Sequence, residues 1–291
     1  MLVNKMDKPI IPISFLQSGN SLPVSQDVFF KHPTYEDILS LDKEHNGLFS
    51  EKIYNSMRDL FLTDPYLYMV FLDDNGLDYE KTSPFQLFVL LYQKHMSLYS
   101  DYLIENPNED ISPIIENDIY ARAFKFFMNV ENVSLINLDG ENIFIYDEDK
   151  FLFNETNYQY VYEFVKLING IREDSSRINP EDEIGKMILI EDEREKIKKS
   201  KMKSDDEKET SDDKLGGMLS SITWSCNGGI TPFNRAKLHI YDIVDGINRY
   251  GKLLNFENIM HGLYAGTIDK KSIDFEKNHW SLWSGDFLLR K

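Results

Sequence analysis

Between Arg194 and Lys214 only Ile197 and Met202 are apolar, while lysine, aspartate and glutamate alternate with serine. Such a stretch cannot bury enough surface to offset the entropy of ordering it. It reads as a linker or a solvent-exposed helical extension, and whatever core the chain builds must form before it, after it, or across it. The charge changes there too. Residues 1–189 carry 15 basic against 32 acidic side chains, residues 190–214 carry 8 against 10, and residues 215–291 carry 9 against 7. An acidic front part is joined to a slightly basic back part, which predicts an acidic domain over 1–190, a charged linker over 191–214 and a small module over 215–291.

The formal charge of −17 over 291 residues repels phosphate, so nucleic acid and anionic membrane are not expected partners. Hydrophobic residues make up 42 %, too many for a disordered chain. The longest uninterrupted apolar run, Tyr66 to Leu72, falls far short of the ~20 residues that span a bilayer. With one cysteine, Cys226, no internal disulfide can form. A protein that stays in the cytoplasm of the cell that makes it is expected.

The periodicity predicts a mainly helical α+β chain. Ile10–Leu16 and Val24–Phe30 have strand composition and form an expected antiparallel pair around Gly19-Asn20. Thr34 with Asp37, Asp64-Pro65, Ser83-Pro84 and Asn154 open helices. Ser50–Leu62, Phe85–Tyr99 and Asn117–Met128 carry apolar residues at helical spacing, with Phe85–Tyr99 apolar nearly all round, as for a buried helix. Val133–Leu138 and Asn142–Tyr146 flank Asp139-Gly140, the strongest hairpin signal in the chain. In the back module a short helix over Met218–Trp224 precedes an Asn227-Gly228-Gly229 turn. A helix from Thr231-Pro232 to Gly251, another over Asn255–Tyr264, and a tail packed through Trp280 and Trp283 are expected to follow.

Familiar catalytic patterns are missing: no glycine-rich phosphate loop, no Gly-x-Ser-x-Gly, no His-Glu-x-x-His. His239, Asp242 and Asp245 stand at three-residue steps and could offer a nitrogen and two oxygens to a metal, although the polar stripe of an amphipathic helix explains them as well. Cys226 lacks a base-and-orienter pair and reads as an inert thiol. Asp73, Asp74 and Asp78 suggest a calcium loop, but Gly76 comes early and Pro84 stands where the final glutamate belongs, so a helix end and a turn account for them. No cofactor, no metal and no enzymatic activity are expected.

The back module carries a resemblance. Ser220-Ser221-Ile222-Thr223-Trp224, then Leu238 through Arg249, then Ile259, Gly262, Tyr264-Ala265-Gly266 and His279-Trp280 resemble small tail-assembly proteins of tailed bacteriophages of Gram-positive bacteria. The front part is similar in style only, with His32-Pro33-Thr34 opening a helix after an extended start. The resemblance implies a tail assembly chaperone that holds the tape-measure protein soluble, with tail-tube subunits as further partners and self-association left open. A structural tail or baseplate component is the alternative it leaves. Trp224, Phe233, Tyr241, Tyr250 and Tyr264 are the candidate partner-binding residues, each competing with a role in core packing.

Overall fold

The computed structural model describes residues 9–106, 114, 118–171, 177–178, 180–202, 214–225 and 230–273. Cys226, the Asn227-Gly228-Gly229 turn, His279, Trp280, Trp283 and most of the connector after Met202 lie outside the described residues. The fold is α+β and mainly helical, with one two-stranded and one three-stranded sheet.

The chain opens with a short helix α1 (Ile13–Gln17) and a minimal antiparallel pair, β1 (Leu22–Pro23) with β2 (Phe29–Phe30). The expected strand over Ile10–Leu16 is therefore a helical turn. Ile11 and Leu16 both point into the core, which an odd spacing cannot achieve in a strand with a period of two. Helix α2 (Tyr35–Leu39) starts with a complete capping box. Thr34 Oγ1 accepts from the Asp37 amide at 3.2 Å, and the Asp37 carboxylate accepts from the Thr34 amide at 2.8 Å.

Helices α3 (Ser50–Asp59), α5 (Pro84–Glu105), α6 (Ile119–Met128) and α7 (Glu155–Ile168) surround an aromatic core. Phe30 stacks on Phe127 at 4.8 Å, Phe88 tilts against Tyr158 at 4.8 Å, and Phe144 against Phe153 at 5.0 Å. The buried Tyr158 hydroxyl lies 2.9 Å from Thr63 Oγ1, and the Tyr54 hydroxyl donates to Asn169 Oδ1 at 3.0 Å, so these polar tips have partners. Helix α5 departs from expectation: Phe85 to Tyr92 lie in the cores, but its second half leaves them, exposing Leu98 and Ile104.

The predicted hairpin forms. Strand β3 (Ser134–Leu138) pairs with β4 (Glu141–Tyr146) through Asp139-Gly140, whose φ values of 52° and 88° are those of a tight mirror-image turn. A third strand, β5 (Lys150–Phe153), adds to β4 with a bulge at Phe144/Ile145. Helix α4 (Met69–Asp74) and helix α8 (Glu183–Met202) pack together in a second, smaller core built from Met69, Leu72, Tyr79 and Leu87, with Leu189 and Ile190 against it. Two cations of α8 clamp that contact. Arg194 reaches Asp73 at 2.9 Å and Asp74 at 2.7 Å, while Lys186 reaches Glu80 at 2.5 Å and Asp78 at 3.4 Å. Asp73 and Asp74 at the end of α4, with Asp78 beyond it, thus serve as anchors for the helix that leads into the connector.

After the connector, α9 (Lys214–Ser225) and α10 (Ile240–Tyr264) pack on each other and on the front part. Leu215, Leu219, Ile222, Ile240, Tyr241 and Ile243 belong to the same apolar cluster as Phe30 and Phe164. The helix expected to start at Thr231-Pro232 starts only at Ile240. Only a 3-10 turn at Arg235–Lys237 forms before α10, which then runs unbroken through Gly251 to Tyr264. The reason is tertiary. Leu238 and His239 are held extended because the Tyr35 amide donates to the Leu238 carbonyl and the Ile240 amide to the Pro33 carbonyl, both at 3.0 Å, so helix growth can begin only at Ile240. Among the described residues, no helix is long and apolar enough to cross a membrane.

Candidate functional site

The back segment meets the front part at two polar joints. The first is Glu51 on α3, buried beside the start of α9. Its carboxylate accepts from the Leu215 amide at 3.0 Å, the Gly216 amide at 2.6 Å and the Tyr35 hydroxyl at 3.2 Å. A carboxylate at a helix N-terminus satisfies amides that have no partner within the helix and complements the positive end of its dipole. Nothing local in the sequence marks this cap, since its donor and acceptor are more than 160 residues apart.

The second joint is a pair of histidines. His239, the residue before α10, lies with its Nδ1 2.9 Å from the His32 carbonyl, and its ring sits 4.6 Å from the buried His32 ring. Gly19 leaves the room for it. Its φ is +68°, and a Cβ there would lie 2.3 Å from His239 Nε2. His32 is enclosed by Phe164, Tyr241 and His239 and finds no hydrogen-bond partner for either ring nitrogen among the described residues. Burial, with the neighbouring His239 charge adding to it, drives its pKa from the ordinary 6.5 down to about 3, so the ring is neutral at physiological pH.

The metal-like spacing on α10 does not converge. His239 turns toward His32, and Asp245 accepts from Arg249 at 2.7 Å one turn along. Asp242 is a separate half-buried carboxyl, raised above its ordinary value by burial. No group of three potential ligands gathers among the described residues.

A cleft of about 630 Å³ lies against α3, α5 and α6, where Met57, Tyr92, Met96, Tyr120, Phe124 and Val133 line it. At its edge Asp118 caps α6 by accepting from the Tyr120 amide at 2.8 Å and the Ala121 amide at 3.3 Å. The same carboxylate accepts from the Tyr99 hydroxyl at 2.7 Å and contacts His95 Nε2. Burial pushes the Asp118 carboxyl upward, but the hydrogen bonds from Tyr99 and His95 outweigh it and hold the pKa below the usual carboxylate value. Through these contacts Asp118 clamps α5 to α6. The Asp before an apolar-periodic run was the sequence signal for this cap; the His95 and Tyr99 contacts had none.

The five aromatics singled out in the back segment separate into two groups. Tyr241 is buried against His32, and Tyr250 is half-buried. Trp224 at the end of α9, Phe233 before the 3-10 turn and Tyr264 at the end of α10 are 80 %, 96 % and 81 % exposed. Full exposure of a tryptophan or phenylalanine leaves ~150–250 Å² of mostly apolar ring per residue in water.

The molecule is thus a mainly helical α+β protein whose back segment docks through two buried polar joints and carries exposed rings. A family model described as the YomV second domain, a phage-associated family name, matches residues 206–282. That span holds α9, the histidine before α10, and α10 itself. Comparison with curated proteins and with solved structures finds no match.

Proposed function

We propose that this chain is a non-enzymatic assembly protein of a tailed phage, which binds the tape-measure protein and keeps it soluble while the tail forms in the host cytoplasm. The observation that carries the reading is the exposure of Trp224, Phe233 and Tyr264 on the segment similar to the YomV second domain. Large rings left in water at helix ends and in a turn suit a surface awaiting a partner. The phage-associated family name supports the phage setting, and the acidic front part suits a protein that must stay soluble beside an aggregation-prone client.

Co-expression with the products of neighbouring reading frames, affinity capture and mass spectrometry test the reading. Capture of one long helical protein, lost in the W224A/F233A double variant and accompanied by absence of the chain from purified particles, is the expected result. Presence of the chain in purified particles at fixed stoichiometry makes it a structural tail or baseplate component instead.

A further inference from the structure

Helix α8 presents a second surface, distinct from the aromatics of the back segment. Leu189 and Ile190 face the smaller core, while Ile184, Met187 and Ile188 point away from it and are 70 %, 69 % and 58 % exposed. Their spacing of three and four places them on one outward stripe a little over one turn long. The surroundings of that stripe are strongly acidic. Glu181, Asp182, Glu183, Glu191 and Asp192 are all exposed. The two cations of this half of the helix are overcommitted: Lys186 lies among Asp78, Glu80 and Glu183, and Arg194 among Asp73, Asp74 and Glu191. With Lys81 also on Asp78, three positive charges face six carboxylates, and the field over the apolar stripe is negative.

We infer that the Ile184–Met187–Ile188 face of α8 is a docking site for a cationic amphipathic helix of another protein, its apolar side on the stripe and its lysines or arginines over the acidic rim. Charge decides between the occupants. A second copy of α8 would bring either the same acidic half against itself or the outward Glu195 and Lys198 against the apolar stripe; one is repulsive and the other buries charge on isoleucine. Anionic lipid is repelled by the same rim. A helix with apolar residues at i, i+3 and i+4 flanked by basic residues satisfies both requirements. This site is independent of the reading above, because none of its residues belongs to the segment carrying Trp224, Phe233 and Tyr264.

The test uses the full chain and a fluorescein-labelled peptide of about 18 residues built from leucine and lysine at helical spacing, with fluorescence anisotropy as the readout. The expected result is saturable binding that weakens as salt is raised. A scrambled peptide of the same composition should not bind. In M187D/I188D the affinity should fall at least about tenfold, equivalent to about 1.4 kcal/mol, with an unchanged circular dichroism spectrum. E181K/D192K should weaken binding and flatten its salt dependence, and W224A/F233A should leave it unchanged. Equal binding of the scrambled peptide, undiminished binding by M187D/I188D, or loss of binding in W224A/F233A would overturn the inference. A dimer in sedimentation that M187D/I188D dissolves would overturn it in favour of self-pairing.

Discussion

His32 concentrates more consequence than any other single side chain. It is buried, neutral and, among the described residues, without a hydrogen-bond partner for its ring, and it touches the residue that opens α10. In the unfolded chain the ring takes up a proton as pH falls below about 6.5, whereas in the folded chain it resists until about 3. The unfolded state therefore binds more protons across that window, and stability declines as pH falls through it, by up to about 1.4 kcal/mol per pH unit from this group. Phe164 and Tyr241 offer no compensating negative charge, and His239 adds a like charge when protonated. Urea denaturation at pH 7 and pH 5 should show a lower midpoint at the acidic pH. H32F, an apolar ring in an apolar setting, should reduce the difference between the two values. Glu51 makes the complementary case: E51A removes the acceptor of two helix amides and should cost about 1–3 kcal/mol. Hydrogen exchange should locate that loss at Leu215 and Gly216.

At the scale of elements, the devices that work over three or four residues behave as local chemistry demands. The Thr34–Asp37 and Ser83–Gln86 boxes, the Asn154 cap and the Asp139-Gly140 turn all form. The turn offers a clean test, because a Cβ at Gly140 meets nothing within 4 Å while its φ is +88°. Any penalty in G140V is therefore backbone strain alone, about 1–3 kcal/mol, visible as a lower thermal midpoint with an unchanged helical signal. Elements fail to follow the local pattern where a distant strand of chain intervenes. Residues 231–239 had a helix-start signal in Thr231-Pro232, but the backbone bonds to Pro33 and Tyr35 hold their end extended and delay α10 to Ile240. Gly251, a plausible stop, is overridden because the helix on either side continues.

At the scale of the whole molecule, the arrangement of the apolar cluster predicts how the chain unfolds. Leu215, Leu219, Ile222, Ile240 and Ile243 share a core with residues of the first 170 positions, and Glu51 and His32 bind the same segment. Calorimetry of the full chain should give one cooperative transition for this core. A chain ending at residue 203 should unfold at a lower temperature and bind a hydrophobic dye, because α9 and α10 no longer cover Phe164 and its neighbours. Two separate transitions, with the back segment melting alone, would contradict the shared core.

The linear sequence determined the class of fold, most helix starts, the hairpin and the division of charge, since each follows from propensity, capping or periodicity within a few residues. It named Trp224, Phe233, Tyr241, Tyr250 and Tyr264 together without separating exposed from covered rings, because helical spacing is blind to which rings a distant element will cover. Tertiary structure alone decided that Asp73, Asp74 and Asp78 anchor α8, that Glu51 caps a helix more than 160 residues away, and that His32 is enclosed by His239. These are pairings between residues far apart in the chain, and their energies come from burial and desolvation, which exist only once the core has closed.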